Sequence, residues 1–143
     1  MGNRIYGCDI CQEVCPHNAG VKPISPEFAD DIYPDADPEL IPLINLSAQD
    51  FKRTVKESSI GWIGRNRIRR NAAVAAGNLR CESAVPELVD LLGSLNPMLR
   101  AHAAWALGRI GSRAAILALR ELLAEESDVA VIKEIYAALS NHE

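Results

Sequence analysis

Through the second half of the chain, apolar residues recur at three- and four-residue spacing, interrupted by short polar, glycine or proline runs. In 84–92, Val85, Leu88, Leu91 and Leu92 fall on one stripe of a helix. An alanine-rich stretch, 69–79, precedes it, and the same pair of patterns then returns. Residues 69–79 align with 100–110, and 84–92 with 115–123, both at an offset of 31 residues. Arg69/Arg100, Ala72/Ala103, Ala73/Ala104, Ala75/Ala106, Gly77/Gly108, Ala84/Ala115, Leu88/Leu119, Leu91/Leu122 and Leu92/Leu123 are identical pairs. A third, degraded copy starts near Asp128 and puts Tyr136 where Trp105 stood. One such helix pair cannot bury its own apolar faces, so the pairs are expected to stack into a short solenoid. The alanines let neighbouring helices approach closely. Gly77 and Gly108 are expected near the C-terminal ends of the first helices, where a left-handed residue costs little.

Upstream the pattern changes. Ser47 with Asp50 reads as a helix start, its hydroxyl free to accept an orphan N–H and its acid at the positive end of the dipole. A short amphipathic helix over 50–57 follows, and 58–64, with two glycines, reads as a break. Residues 21–46 hold Pro23, Pro26, Pro34, Pro38 and Pro42 among many acids, and this density predicts a linker or extended surface segment. The expected architecture is mainly α: a cysteine-bearing segment at 1–20, the proline-rich linker at 21–46, and a helical repeat domain at 47–143.

Composition adds little until the charges are placed. The sequence is 48% hydrophobic and has no run of eighteen apolar residues and no charged, then apolar, leader, so no membrane span or secretory signal is expected. A cytoplasmic location is the default expectation. The net charge of −4 hides a basic island. Between 52 and 80 stand Lys52, Arg53, Lys56, Arg65, Arg67, Arg69, Arg70 and Arg80 against the single acid Glu57. Arg65, Arg67, Arg69 and Arg70 are the candidate phosphate-binding residues, because guanidinium groups pair with phosphate in a bidentate fashion.

Three of the four cysteines crowd into 8–15, which is awkward for disulfides and natural for a metal. The run Cys8-x2-Cys11-x3-Cys15-Pro16 matches the larger part of the four-iron ferredoxin motif, in which the cysteine before proline serves a second cluster. On that pattern Cys8 and Cys11 belong to one 4Fe-4S cluster and Cys15 to another, and neither set is complete. Zinc held by Cys8, Cys11, Cys15 and either His17 or Cys81 is an alternative, as is a redox Cys-x2-Cys. A further reading places the missing ligands on polypeptide outside these residues. Cys81, between the two helices of the first repeat, reads as a free thiol; His102 reads as a packed or solvated helix residue and His142 as part of a tail.

The stretch from Gly2 to Asn18, with Ile5-Tyr6-Gly7-Cys8-Asp9-Ile10-Cys11-Gln12-Glu13-Val14-Cys15-Pro16, closely resembles the epoxyqueuosine reductase family. Arg69-Arg70-Asn71-Ala72-Ala73 and Gly77-Asn78 look like that family's entry into its repeats, which resemble the short HEAT-like repeats also found in phycobilisome lyases. The resemblance implies a cobalamin-binding domain, a two-cluster ferredoxin-like domain and a HEAT-like domain, acting together to remove the epoxide oxygen from a modified tRNA base. It implies that Cys8 and Cys11 join one cluster, that Cys15 completes the other, and that tRNA is the partner. The family's cobalamin domain and first cysteine run would precede residue 1. This implies a truncated gene product or a split subunit, the cobalamin domain then lying on a separate chain.

Overall fold

A computed structural model describes residues 5–21 and 39–142. They fall into two compact units, one built from the chain up to Tyr6 together with everything from Leu40 onward, the other from Gly7–Glu39. The described residues are mainly helical and contain no strand.

The larger unit is the stack of helix pairs that the 31-residue offset predicts. Helix α4 (Arg65–Leu79) pairs with α5 (Val85–Leu92), α6 (Pro97–Ile110) with α7 (Arg113–Glu125), and α8 (Val129–Leu139) is the first helix of the third copy. The first helices stack on one another, α4 on α6 and α6 on α8, while α5 packs on α6 and α7. Their starts are written in the sequence. Asn96 accepts from the Met98 N–H at 3.0 Å, Ser112 from Ala115 at 3.3 Å, and Asp128 from Ala130 and Val131 at 2.9 and 3.2 Å. Each satisfies donors that a helix start leaves unpaired. The core holds the predicted stripe, Leu88 and Leu91 fully and Val85 and Leu92 nearly buried, and extends beyond it to Leu99, Leu107, Leu119, Val131 and Ile135 among the alanines.

The glycines behave differently from expectation. Gly77 and Gly108 lie inside α4 and α6 and are buried. A Cβ on Gly77 would sit 2.7 Å from the Trp105 ring and 2.9 Å from the Ala106 Cα. One on Gly108 would sit 2.5 Å from the Ala138 Cβ. They set the distance of closest approach between stacked first helices. The left-handed caps fall a few residues later, at Arg80 (φ 49°) and Gly111 (φ 70°). At Arg80 the Cys81 N–H reaches the Ala76 carbonyl at 2.9 Å and the Arg80 N–H the Gly77 carbonyl at 3.2 Å, a Schellman closure.

The proline-rich segment also differs where it is described. Leu40–Ile44 is a helix, α2, although it contains Pro42. The ring is tolerated because the first turn of a helix has no intrahelical use for its N–H. Ile44 is fully buried, and α2 packs on α4 and α5 much as α5 packs on α6 and α7. It therefore stands in for the second helix of a preceding repeat, and the helical unit begins at 40 rather than 47. The rest of the expected linker, 22–38, lies outside the described residues.

Between α2 and α4 the chain makes an excursion. Ser47 caps the short helix α3 (Ala48–Asp50) through the Asp50 N–H at 3.0 Å, as its sequence predicts. The expected helix over 50–57 then widens into a π-type turn, Phe51–Val55, closed by Lys56 N–H to the Phe51 carbonyl at 2.8 Å. Gly61 packs directly on the Lys56 carbonyl, leaving no room for a side chain. A 3-10 turn, Gly61–Ile63, buries Ile63 and leads into α4. His142 is no loose tail: its Nε2 bonds the Gly108 carbonyl at 2.6 Å and its ring lies on Gly111.

Candidate functional site

In the smaller unit, the cysteine run wraps a single helical turn, α1 (Ile10–Glu13). The Asp9 carbonyl accepts from the Gln12 and Glu13 N–H groups, each at 2.8 Å, and Cys15 N–H donates to the Gln12 carbonyl at 3.2 Å. The Asn18 side-chain amide donates to the same carbonyl at 3.0 Å, holding the turn after Pro16 against the start of the loop. Cys8 and Cys11 are exposed, Cys15 is partly exposed, and all three are free thiols. Among the described residues no three His, Cys, Asp or Glu side chains gather into a metal-binding group. The donor chemistry suits iron–sulfur ligation, but these residues do not enclose a cluster, or a zinc ion, by themselves. Cys81 is a partly buried thiol 3.3 Å from the Ser83 hydroxyl. His17 is exposed in the loop.

In the larger unit, the four candidate arginines share the start of α4 but have different duties. Arg69 donates from Nε to the Ile44 carbonyl at 2.8 Å, and burial, with Arg65 nearby, lowers its pKa. Arg70 donates from Nε and Nη2 to the Asn71 side-chain carbonyl at 3.0 and 2.8 Å. Arg65 reaches the Leu46 carbonyl at 3.3 Å. Arg67 is exposed, and its side chain makes no hydrogen bond or ion pair among the described residues. Arg69 and Arg70 thus fasten the fold, Arg67 is available to a ligand, and Arg65 does some of both.

Around Arg65 and Arg67 runs a groove of about 550 Å³, lined by Trp62, Ile63, Gly64, Asn66 and Met98 as well as the two arginines. No acid is among its described lining residues. Gly64 stands at the N-cap without a side chain to offer, and no acid occupies the first turn. Cationic side chains at the positive end of a helix dipole raise the local potential, which favours an anion. Trp62 and Tyr6, which sequence reasoning passed over, meet here edge to face, with centroids 6.0 Å apart at 87°. The available signal was an aromatic set between two glycines just ahead of the arginine run.

His102 Nδ1 bonds the Met98 carbonyl at 2.8 Å, and its ring lines a smaller cleft of about 270 Å³ with Val74, Ala101, Trp105 and Glu134. No described helix is long and apolar enough to cross a membrane.

Stacked helix pairs with alanine-rich first helices define a helical-repeat protein. HEAT repeats match residues 64–140, and the chain belongs to that family. Relatives that match nearly the whole chain include epoxyqueuosine reductases. That of Listeria monocytogenes is 39% identical over 96% of this chain and 36% of its own length, and that of Bacillus cereus 37% identical over 97% and 37%. The crystal structure of an epoxyqueuosine reductase with a tyrosine tRNA stem loop carrying epoxyqueuosine superposes with a TM-score of 0.85 at 39% identity, over 97% of this chain and 37% of that one. The chain therefore spans little more than a third of the length of these relatives.

Proposed function

We propose that this chain acts as the tRNA-holding and electron-delivering portion of an epoxyqueuosine reductase, which reduces epoxyqueuosine in tRNA to queuosine. The observation that carries this reading is the likeness, across almost the whole chain, to a reductase structure that holds its tRNA stem loop. Two local features support it. The groove beside Arg65 and Arg67, with no acid among its described lining residues, suits a phosphate backbone, whose contacts position a nucleic acid without reading its sequence. The free thiols Cys8, Cys11 and Cys15 suit 4Fe-4S ligation, with Cys8 and Cys11 serving one cluster and Cys15 the other, and with the remaining ligands outside these residues. When bound, such clusters supply single electrons, in this family destined for cobalamin. Within the chain itself, α1 and its hydrogen bonds hold the thiols on one loop, while Arg69 and Arg70 hold the start of α4 so that Arg65 and Arg67 face the groove.

The test has two parts. Binding of an anticodon stem-loop RNA should weaken steeply as salt rises, and the double variant R65A/R67A should both weaken it and flatten the salt dependence. Salt-independent binding would overturn the phosphate role. Reconstitution with iron and sulfide under anaerobic conditions should load the chain poorly, and the isolated 143 residues should show no reductase activity. Robust activity would overturn the division of labour.

A further inference from the structure

Trp62 is 72% exposed, while its neighbours Gly61 and Ile63 are buried. The turn that carries it is fixed. Gly61 N–H bonds the Ser58 carbonyl at 3.0 Å, and Ile63 and Gly64 N–H bond Ile60 and Gly61 at 3.2 Å. Gly64 leaves the turn at φ 81°, a conformation that L side chains rarely adopt. Tyr6 braces the indole edge to face. An indole held this firmly and this openly has a π-surface left for a second planar partner. The same groove brings Arg65, Asn66 and Arg67 within reach, with no acid among its described lining residues.

An aromatic platform beside cationic side chains suits an unpaired base, since stacking takes any base while the cations hold its phosphate. A protein partner could also use a tryptophan. The eight cations against one acid in 52–80 favour a polyanion instead. A fully paired helix offers no free base face to an indole, so the chemistry selects a loop or a single-stranded end. We infer that Trp62 is a stacking platform for an unpaired nucleobase of the bound RNA, with Arg67 holding the phosphate next to it. The inference rests on the nucleic-acid reading above and adds to it the part of the RNA that is gripped.

The experiment compares an anticodon stem-loop with a blunt duplex of the same stem, using the full chain. W62A should weaken stem-loop binding about five- to one-hundred-fold. It should leave duplex binding unchanged, and W62F should retain most of the affinity. Stem-loop RNA should quench tryptophan emission in the natural chain and not in W62F, whose remaining tryptophan is Trp105. Because Trp62 is exposed, far-ultraviolet circular dichroism should be the same for W62A and the natural chain. Equal stem-loop affinity for W62A and the natural chain would overturn the platform. If R65A/R67A still abolished binding in that case, the nucleic-acid reading would stand without it. Failure of the natural chain to bind either RNA would overturn both.

Discussion

The side-chain amide of Asn71 donates to the Ile5 carbonyl at 2.6 Å, joining residues 66 apart in sequence. Asn71 is only 7% exposed, and Arg70 clasps its carbonyl oxygen through two guanidinium nitrogens. One buried amide thereby pins the strand of chain carrying Tyr6 to α4. Asn71→Ala would leave the Ile5 carbonyl and the Arg70 guanidinium without this partner. We expect a loss of about 1–3 kcal/mol, read from urea unfolding. A change below a few tenths would mean that the bond is replaced by water at no cost.

Gly77 and Gly108 give a prediction of opposite sign from the usual one. Inside a helix, Gly→Ala ordinarily stabilises by about 1 kcal/mol. Here the new methyl group would meet Trp105 and Ala106, or Ala138. Both variants should be destabilised, by about 1–3 kcal/mol. Thermal denaturation decides the point, and a higher melting temperature for either would remove that glycine's spacing role.

Acid should loosen the second repeat junction. Glu126 accepts from Arg100 Nε and Nη2 at 2.6 and 2.8 Å, and its side chain is 3% exposed. The hydrogen bond from Arg100 is the main cause holding its pKa down to about 2, burial opposes it, and the Asp128 and Ser127 N–H groups assist. A carboxyl with a folded pKa below its ordinary 4.5 contributes stability that is fully present above pH 4.5 and is lost as pH falls toward 2. Glu126→Gln should be less stable at neutral pH and should show a shallower loss across that window. Arg100→Ala, which strands the carboxylate, should cost about 3 kcal/mol at neutral pH. Parallel pH–stability curves for E126Q and the natural chain would contradict the assignment.

The arginines should separate into two groups when replaced singly. Arg67→Ala should weaken RNA binding and leave unfolding unchanged within about 0.5 kcal/mol, as expected for an exposed residue. Arg69→Ala should destabilise the fold by about 1–3 kcal/mol, because the Ile44 carbonyl loses its charged donor. Paired titration and unfolding experiments on the two variants check this directly.

The repeat, its buried stripe and its third copy were legible because each depends on periodicity, which burial imposes directly on sequence. Ser47 was legible because capping is local. Pro42 misled because its effect depends on where a helix starts, and only packing of Ile44 under α4 and α5 settles that start. Gly77 and Gly108 misled for a related reason. A glycine near a helix end can serve backbone conformation or close approach, and the second use is visible only when the neighbouring helix is in place. The arginine cluster was legible as charge, but which guanidinium is consumed by carbonyls at Ile44 and Leu46 is a tertiary fact. The cysteine spacing shows a run of thiols on one loop, while any convergence of ligands depends on residues brought together in three dimensions.

The bonds from Arg65 and Arg69 back to Leu46 and Ile44 have one more consequence. They join the two ends of the excursion between α2 and α4, so the stack continues across it as though nothing had been inserted. The segment between those clasped ends rests on a small core of its own, where Val55 and Ile63 meet Leu46 and Ile68. That anchorage on both sides turns Trp62 outward from a fixed base.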